Sequence, residues 1–190
     1  MHYQTLIPSP LGDLIAIASD DHLLMLEFAD CEELEERLSV IAKNFSVPVK
    51  NDVAIQEKRK NSISWLDCFG LAGGGVSRIL SLTATQLWEY FEWKRTEFTI
   101  PLSVDGTDFQ RDAWKWLEKI PYSETRSYWE QARMIGRDRA VRAIGWANHN
   151  NRIVIIIPCH RVIGASGKLV GYGGGMERKI WLLEHEKRNK

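Results

Sequence analysis

The sequence is poor in cysteine and contains no long apolar run, and both shortages narrow its class. Its three cysteines, Cys31, Cys68 and Cys159, are an odd number with no Cys-x-x-Cys pair. Neither a disulfide framework nor a cysteine-rich zinc site is expected from them, and at least one thiol stays free. No stretch approaches the roughly 18 apolar residues of a membrane span. The opening MHYQTLIPSPLGDL lacks a basic segment followed by an apolar one. The expectation is a soluble protein with no membrane association, cytoplasmic, or nuclear in a eukaryote. An excess of either charge is also missing, since 25 Lys+Arg balance 25 Asp+Glu, and a neutral balance by itself carries no nucleic-acid signal.

The balance hides an asymmetry. Residues 1–100 carry 9 Lys+Arg against 15 Asp+Glu, and residues 101–190 carry 16 against 10, a net −6 and +6. Opposite signs in the two halves point to two domains, 1–100 and 101–190, the second suited to a polyanion, although solvated faces can produce such numbers by accident. With 44% hydrophobic residues and eight Trp in 190 residues, the chain can bury one or two compact cores.

In the first half, alternation in TLIPSPLGDLIAIASDDHLLMLEFA predicts a hairpin or meander, with turns at Gly12-Asp13 and Asp20-Asp21. Glu32 to Lys43 reads as a helix. Residues 46–83, with a QEKRK run and an AGGG stretch, read as loops around at most a short helix. Ala84 to Lys94 is again helical by its apolar spacing.

The second half is more regular. Asp108 is the expected cap of a helix in which Phe109, Ala113, Trp116, Leu117 and Ile120 share a face, and Pro121 ends it. Ser127 and Glu130 have the spacing of a capping box and open a short helix that Gly136 can stop. A further helix has Ala140, Ala143, Ile144 and Ala147 on one stripe, with Arg139, Arg142, Trp146 and His149 on another. Two short helices joined by a glycine-containing turn, the second bearing arginines, outline a helix-turn-helix, a pattern that helical hairpins without DNA share. Ile153 to Ile157 are five β-branched residues that read as a buried strand stopped by Pro158. Cys159 is thus expected just past a strand end, directly after the candidate DNA reader.

A cysteine attacks as thiolate, so it needs a base or positive surroundings to bring its pKa below the ~8.5 of a free thiol. His160 is the nearest base. Neighbours on a strand face opposite ways, so contact between Cys159 and His160 requires that the chain turn there or that a water bridge them. A carboxylate that orients the imidazole is expected from the helix Met176 to Arg188, which offers Glu177, Glu184 and Glu186. In isolation, a cysteine beside a histidine at a strand end reads more often as a small core residue beside a structural one.

The string around it is more specific. Ile157-Pro-Cys-His-Arg-Val162 resembles the active-site motif of the O6-alkylguanine-DNA alkyltransferases, the methylated-DNA–protein-cysteine methyltransferases. The resemblance runs over residues 107–187 through Phe109-Gln110, Trp114, Ile120-Pro121, Ser127-Tyr128, Ala140 to Gly145, Asn151, Gly171-Tyr172, Gly174 and Lys179 to Glu186. An ordered series of this length leaves little room for coincidence. Residues 1–100 match more loosely.

The resemblance implies an α+β fold. Residues 1–100 would form a small mixed sheet-plus-helix domain, ribonuclease H-like. Residues 101–190 would form a mainly helical, winged helix-turn-helix-like domain carrying the reactive cysteine. It implies that Cys159 accepts an alkyl group from O6 of guanine, and from O4 of thymine, in double-stranded DNA. His160, acting through a bound water and oriented by Glu186, would draw off the thiol proton. Asn151 would brace the turn beneath this network, and Tyr128 would donate a proton toward N3 of the leaving guanine. Arg142 would fill the gap left by the extruded nucleotide, with Arg139, Ala143, Gly145 and Trp146 on the DNA-binding face. Val154, Val162, Tyr172 and Gly173 would line the base pocket. Flipping is required because the target atom is unreachable within a stacked duplex. The product thioether has no good leaving group, so each molecule reacts once. The expected protein is a monomer with no cofactor and no metal. His2, His22, Cys31 and Cys68 are possible ligands, at a spacing unlike a recognised zinc site.

Three departures from the family pattern stand out: Arg152 where relatives have proline, Gly173 where some have serine, and Trp146 at a usually small position. An indole at Trp146 either stacks against sugar or base in the DNA groove or faces inward to pack the first domain. A helical tryptophan is usually core, which favours packing. The competing readings are a non-catalytic damage-binding module of the same fold, which would lack the cysteine, a helix-turn-helix regulator, and an unrelated Cys-His hydrolase.

Overall fold

The computed structural model describes residues 2–45 and 77–189, which fall into two compact units, Met1–Ser103 and Val104–Lys190. Among the described residues no helix is long and apolar enough to cross a membrane.

The first unit is built on an antiparallel meander of β1 (His2–Ile7), β2 (Leu14–Ser19) and β3 (Leu23–Phe28). Its register pairs Leu6 with Ile15 and Leu14 with Phe28, and a bulge falls between Ile17 and Ala18. The turns lie at the predicted positions, the first using Gly12 at a φ of 104°, a conformation that is cheap only without a Cβ. Unlike the half-exposed strands that alternation implies, β2 and β3 are buried on both faces. Helix α1 (Leu34–Phe45) packs Leu38 and Ile41 against Ile15, Ile17 and Met25. Helix α2 (Arg78–Phe91) touches all three strands. Each fully buried aliphatic side chain contributes about 1.5–3 kcal/mol. Helix α2 starts earlier than expected because Ser77 caps it, accepting from the Ile79 amide, so residues 78–83 are helical rather than loop. The remainder of the expected loop region, residues 46–76 with Cys68, lies outside the described residues.

The second unit opens with α3 (Asp108–Leu117). Its cap is Thr107 rather than Asp108: the Thr107 hydroxyl accepts from the Gln110 amide and the Gln110 side chain accepts from the Thr107 amide. Helix α4 (Tyr128–Met134) starts with the predicted box of Ser127 and Glu130, and Gly136 at a φ of 70° ends its turn. Helix α5 (Val141–His149) follows. Small residues let these three helices approach closely, since Ala113, Ala132, Ile144 and Ala147 form their shared core. Polar groups within it are paired. Gln131 and Asn148 exchange amide hydrogen bonds of 3.0 and 2.8 Å, and the Trp114 indole N–H donates to the Ala147 carbonyl at 2.8 Å. Arg139 falls in the turn before α5 instead of on the helix, because regular helical bonding starts at Val141.

The expected strand over Ile153–Ile157 is absent. These five residues are buried but fold into a tight turn, with Ile155 at a φ of 70° and Ile157 N–H donating to the Ile153 carbonyl at 3.0 Å. The Asn151 side chain replaces the missing strand partner, accepting from the Ile153 amide at 3.0 Å and donating to the Ile157 carbonyl at 2.8 Å. Tertiary hydrogen bonding here overrides the β propensity of the sequence. A single 3-10 turn, Cys159–Arg161, comes next. The short strands β4 (Arg126–Ser127) and β5 (Val162–Ile163) then pair in parallel, and α6 (Met176–Arg188) closes the unit.

Candidate active site

Because the chain turns at Pro158, Cys159 opens a 3-10 turn instead of following the end of a strand. Its side chain is 6% exposed, and the Asn151 amide N–H donates to its sulfur at 3.2 Å. Asn151 therefore braces the preceding turn and also donates to the sulfur. A donor aimed at sulfur favours the thiolate.

His160 is wholly buried, with Nε2 at 2.8 Å from Glu186 Oε1. Glu186 also accepts from Arg161 at 3.0 Å on each oxygen and from the Ser123 amide at 3.0 Å. Burial alone would push the Glu186 carboxyl up, but His160 and Arg161 outweigh it and hold the group well below the usual carboxylate range. Burial pushes His160 down, and the nearby carboxylate only partly offsets this. At neutral pH the pair is thus a carboxylate beside a neutral imidazole. Its Nε2–H donates to Glu186, which leaves Nδ1 as the acceptor. Nδ1 is buried and has no hydrogen-bond partner among the described residues. A neutral base of this kind can take a proton.

Cys159 opens onto a cavity of about 410 Å³ walled by Tyr128, Gly145, Asn148, His149 and the segment from Val170 to Gly173. Burial, and next the charge of Cys159, push the Tyr128 phenol up to about 12, so it keeps its proton at neutral pH. Lys179 on α6 is fully buried, and its ammonium donates to the carbonyls of Val162, Val170 and Gly171 at 2.6, 3.0 and 3.3 Å. It thereby ties one cavity wall to the segment beside Cys159. Burial lowers its pKa to about 8, while the cysteine charge acts in the opposite direction.

The structure brings Cys159, His160, Glu186, Asn151 and Tyr128 into one neighbourhood with Gly145, Tyr172 and Gly173. Val154 and Val162 are not on the cavity wall: both are buried, and the Val162 carbonyl is taken by Lys179. Arg139, Arg142 and Ala143 are exposed. Trp146 is 66% exposed, so it is not a core residue of its own unit, and its ring stacks on His149 at 5.3 Å between centroids. Sequence reasoning gave no site role to Asn148, His149, Arg161, Lys179 or Ser123. The apolar spacing of α6 carries no sign that Lys179 would be buried, and the Ser123 contribution is a backbone amide, to which residue type gives no clue.

A cysteine at the wall of a cavity, next in the chain to a buried histidine paired with a glutamate and in one unit with a helix pair that carries exposed arginines, fits a class of cysteine group acceptors that meet nucleic acid. A family model described as "6-O-methylguanine DNA methyltransferase, DNA binding domain" matches residues 108–188. A methylated-DNA–protein-cysteine methyltransferase of Mycobacterium leprae is 46% identical over 148 residues, which are 78% of this chain and 85% of that protein. The enzyme of the same name from Mycobacterium bovis is 61% identical over 102 residues, 54% of this chain and 62% of that protein. The crystal structure of Mycobacterium tuberculosis O6-methylguanine methyltransferase has a TM-score of 0.72 at 37% identity, covering 100% of this chain and 95% of that one. A further structure, M. tuberculosis OGT in complex with DNA, gives 0.72 at 38% identity, over 97% and 92% of the two chains. The chain belongs to the methylated-DNA–protein-cysteine methyltransferase family.

Proposed function

We propose that this protein repairs alkylated DNA directly, transferring the alkyl group from O6 of guanine, and from O4 of thymine, to Cys159 in a single turnover. The observation that carries the assignment is the arrangement around Cys159: a sulfur on a cavity wall, held by Asn151 at 3.2 Å, beside a buried imidazole oriented by Glu186. Neutral His160 draws off the thiol proton, and the imidazolium formed is stabilised by the Glu186 carboxylate. The S–C bond forms as the C–O6 bond breaks. Tyr128 delivers a proton toward N3, so that the guanine departs neutral, and the proton taken up by His160 restores the phenol. Cysteine thus loses the proton that guanine gains. The partner is double-stranded DNA, with Arg142, Arg139, Ala143 and Gly145 on the contacting face and Arg142 entering the stack in place of the flipped nucleotide. Tyr172 and Gly173 hold the base. The protein acts as a cytoplasmic monomer without a cofactor.

Intact-mass measurement after mixing with duplex DNA containing O6-methylguanine tests the reading. The expected result is one added methyl per molecule, mapped to Cys159. Methyl uptake at Cys31 or Cys68, repeated turnover, or no uptake would overturn it.

A further inference from the structure

Along the exposed side of α5, Arg142, Trp146 and His149 follow one another at intervals of four and three residues, so they form one stripe. The far end of this stripe belongs to the cavity, because His149 is part of the wall that holds Cys159. Trp146 covers the His149 ring in a near-parallel stack, 5.3 Å between centroids and 26° between planes, while the indole remains 66% exposed. The Trp146 carbonyl accepts from the Asn150 side chain at 2.8 Å, and this bond pins the end of the helix that carries the pair.

We propose that Trp146 and His149 form an aromatic shelf at the rim of the alkyl pocket, on which a nucleobase flanking the extruded guanine stacks. An exposed indole surface without a protein covering costs solvation, and it is retained most economically where a planar partner covers it in the complex. Arg142, one turn before it, and Arg139, in the turn that precedes α5, are cationic and exposed, which matches a polyanion. Every base offers a π face, so a stack of this kind holds DNA without reading its sequence. A damage reader needs that tolerance. The inference rests on the alkyl-transfer reading and adds a positioning residue to it: Trp146 holds the strand from which the base has left, while the chemistry stays with Cys159.

The test compares the wild type with Trp146→Ala, Trp146→Leu and Trp146→Phe, each checked for an unchanged melting temperature, which exposure of the side chain favours. The rate of Cys159 alkylation is measured with O6-methylguanine duplex and with a free O6-alkylguanine base, and the ratio of the two is the readout. The ratio is expected to fall about tenfold for alanine and leucine, the size of one base–aromatic stack, and to stay within about threefold of wild type for phenylalanine. Duplex binding should also quench tryptophan emission less in Trp146→Phe than in the wild type. Ratios within twofold of wild type in all three variants, or equal losses for phenylalanine and alanine, would overturn the shelf. Failure of wild-type Cys159 to react with either substrate would instead overturn the alkyl-transfer reading, so the two failures are distinguishable.

Discussion

Among the described residues of the first unit the buried side chains are mostly aliphatic, and they enclose an ion pair, Arg37 with Glu27 at 2.6 Å, that ties α1 to β3. In residues 104–190 Glu186, His160, Arg161, Lys179 and Asn151 are all buried: Asn151 donates to the Cys159 sulfur, His160 and Arg161 share Glu186, and Lys179 holds the Val162 carbonyl. Taking a charge out of water costs several kcal/mol per ion, and pairing at best recovers it. One enclosed pair can be structural. A network of them next in the chain to a cysteine on a cavity wall, with one imidazole nitrogen left as an acceptor, is what the proposed chemistry would use. The contrast predicts that breaking buried charge damages stability in both units but damages transfer in only one.

The largest effect is expected for Glu186→Gln. It leaves the Arg161 guanidinium buried without its counter-charge, a loss of about 3–5 kcal/mol by analogy with broken buried pairs, visible as a lower denaturant midpoint. It also removes the group that orients His160, so alkylation of Cys159 at pH 7 should slow roughly 100-fold. The deficit should shrink near pH 9.5, where the thiol ionises unaided. A deficit equal at every pH would show that Glu186 acts only in folding.

Glu27→Gln is the matched break in the first unit. Arg37 keeps Glu33 at 3.0 Å, so the cost should fall at about 3 kcal/mol, the lower end of the same range. Transfer per folded molecule should stay at the wild-type rate. A slowed rate in the folded fraction would mean that the two regions do not differ as their buried charge suggests.

Acid should discriminate the regions as well. Both Glu186 and His160 titrate below their ordinary values in the folded protein. Stability from such groups is fully present above the unfolded values, about 4.3 for Glu and 6.5 for His, and is lost as pH falls through the folded ones. Transfer to a free base should therefore persist below pH 6.5 and fail only when His160 takes up a proton. An acid limb centred at or above pH 6.5 would contradict the neutral, buried imidazole.

The elements that were legible in the sequence are those set by local chemistry. Ser127 with Glu130 announces α4, and Gly136 its end. What misled was chemistry decided at a distance. Five β-branched residues from Ile153 to Ile157 read as a strand, yet a single side chain, Asn151, supplies the hydrogen bonds that hold them as a turn. Asp108 has a good capping side chain, but Thr107 takes the role because Gln110 lies three residues after it and completes the box. A helical tryptophan reads as core by the habits of its residue type, and only the fold shows that Trp146 is exposed on α5. Lys179 gave no signal, since a lysine becomes a buried clamp only when three carbonyls gather around it.

The smallest predicted effect compares two copies of one motif. Capping boxes open both α3, from Thr107 and Gln110, and α4, from Ser127 and Glu130. Removing either hydroxyl, as Thr107→Ala or Ser127→Ala, should cost about 1 kcal/mol of stability, so the two variants should unfold at closely similar denaturant concentrations. Their transfer rates should differ. Tyr128 is the first residue of α4, directly after the Ser127 cap, and its ring lines the Cys159 cavity. Fraying of that first turn moves the phenol proposed to protonate the leaving base, and misplacement of about 1 Å in a reacting group can cost up to 100-fold. Partial fraying should give Ser127→Ala a several-fold slower alkylation, whereas Thr107, at the far end of a helix whose contribution is packing, should leave the rate unchanged. Equal rates in the two variants would mean that the position of Tyr128 is fixed by the cavity wall and not by the cap.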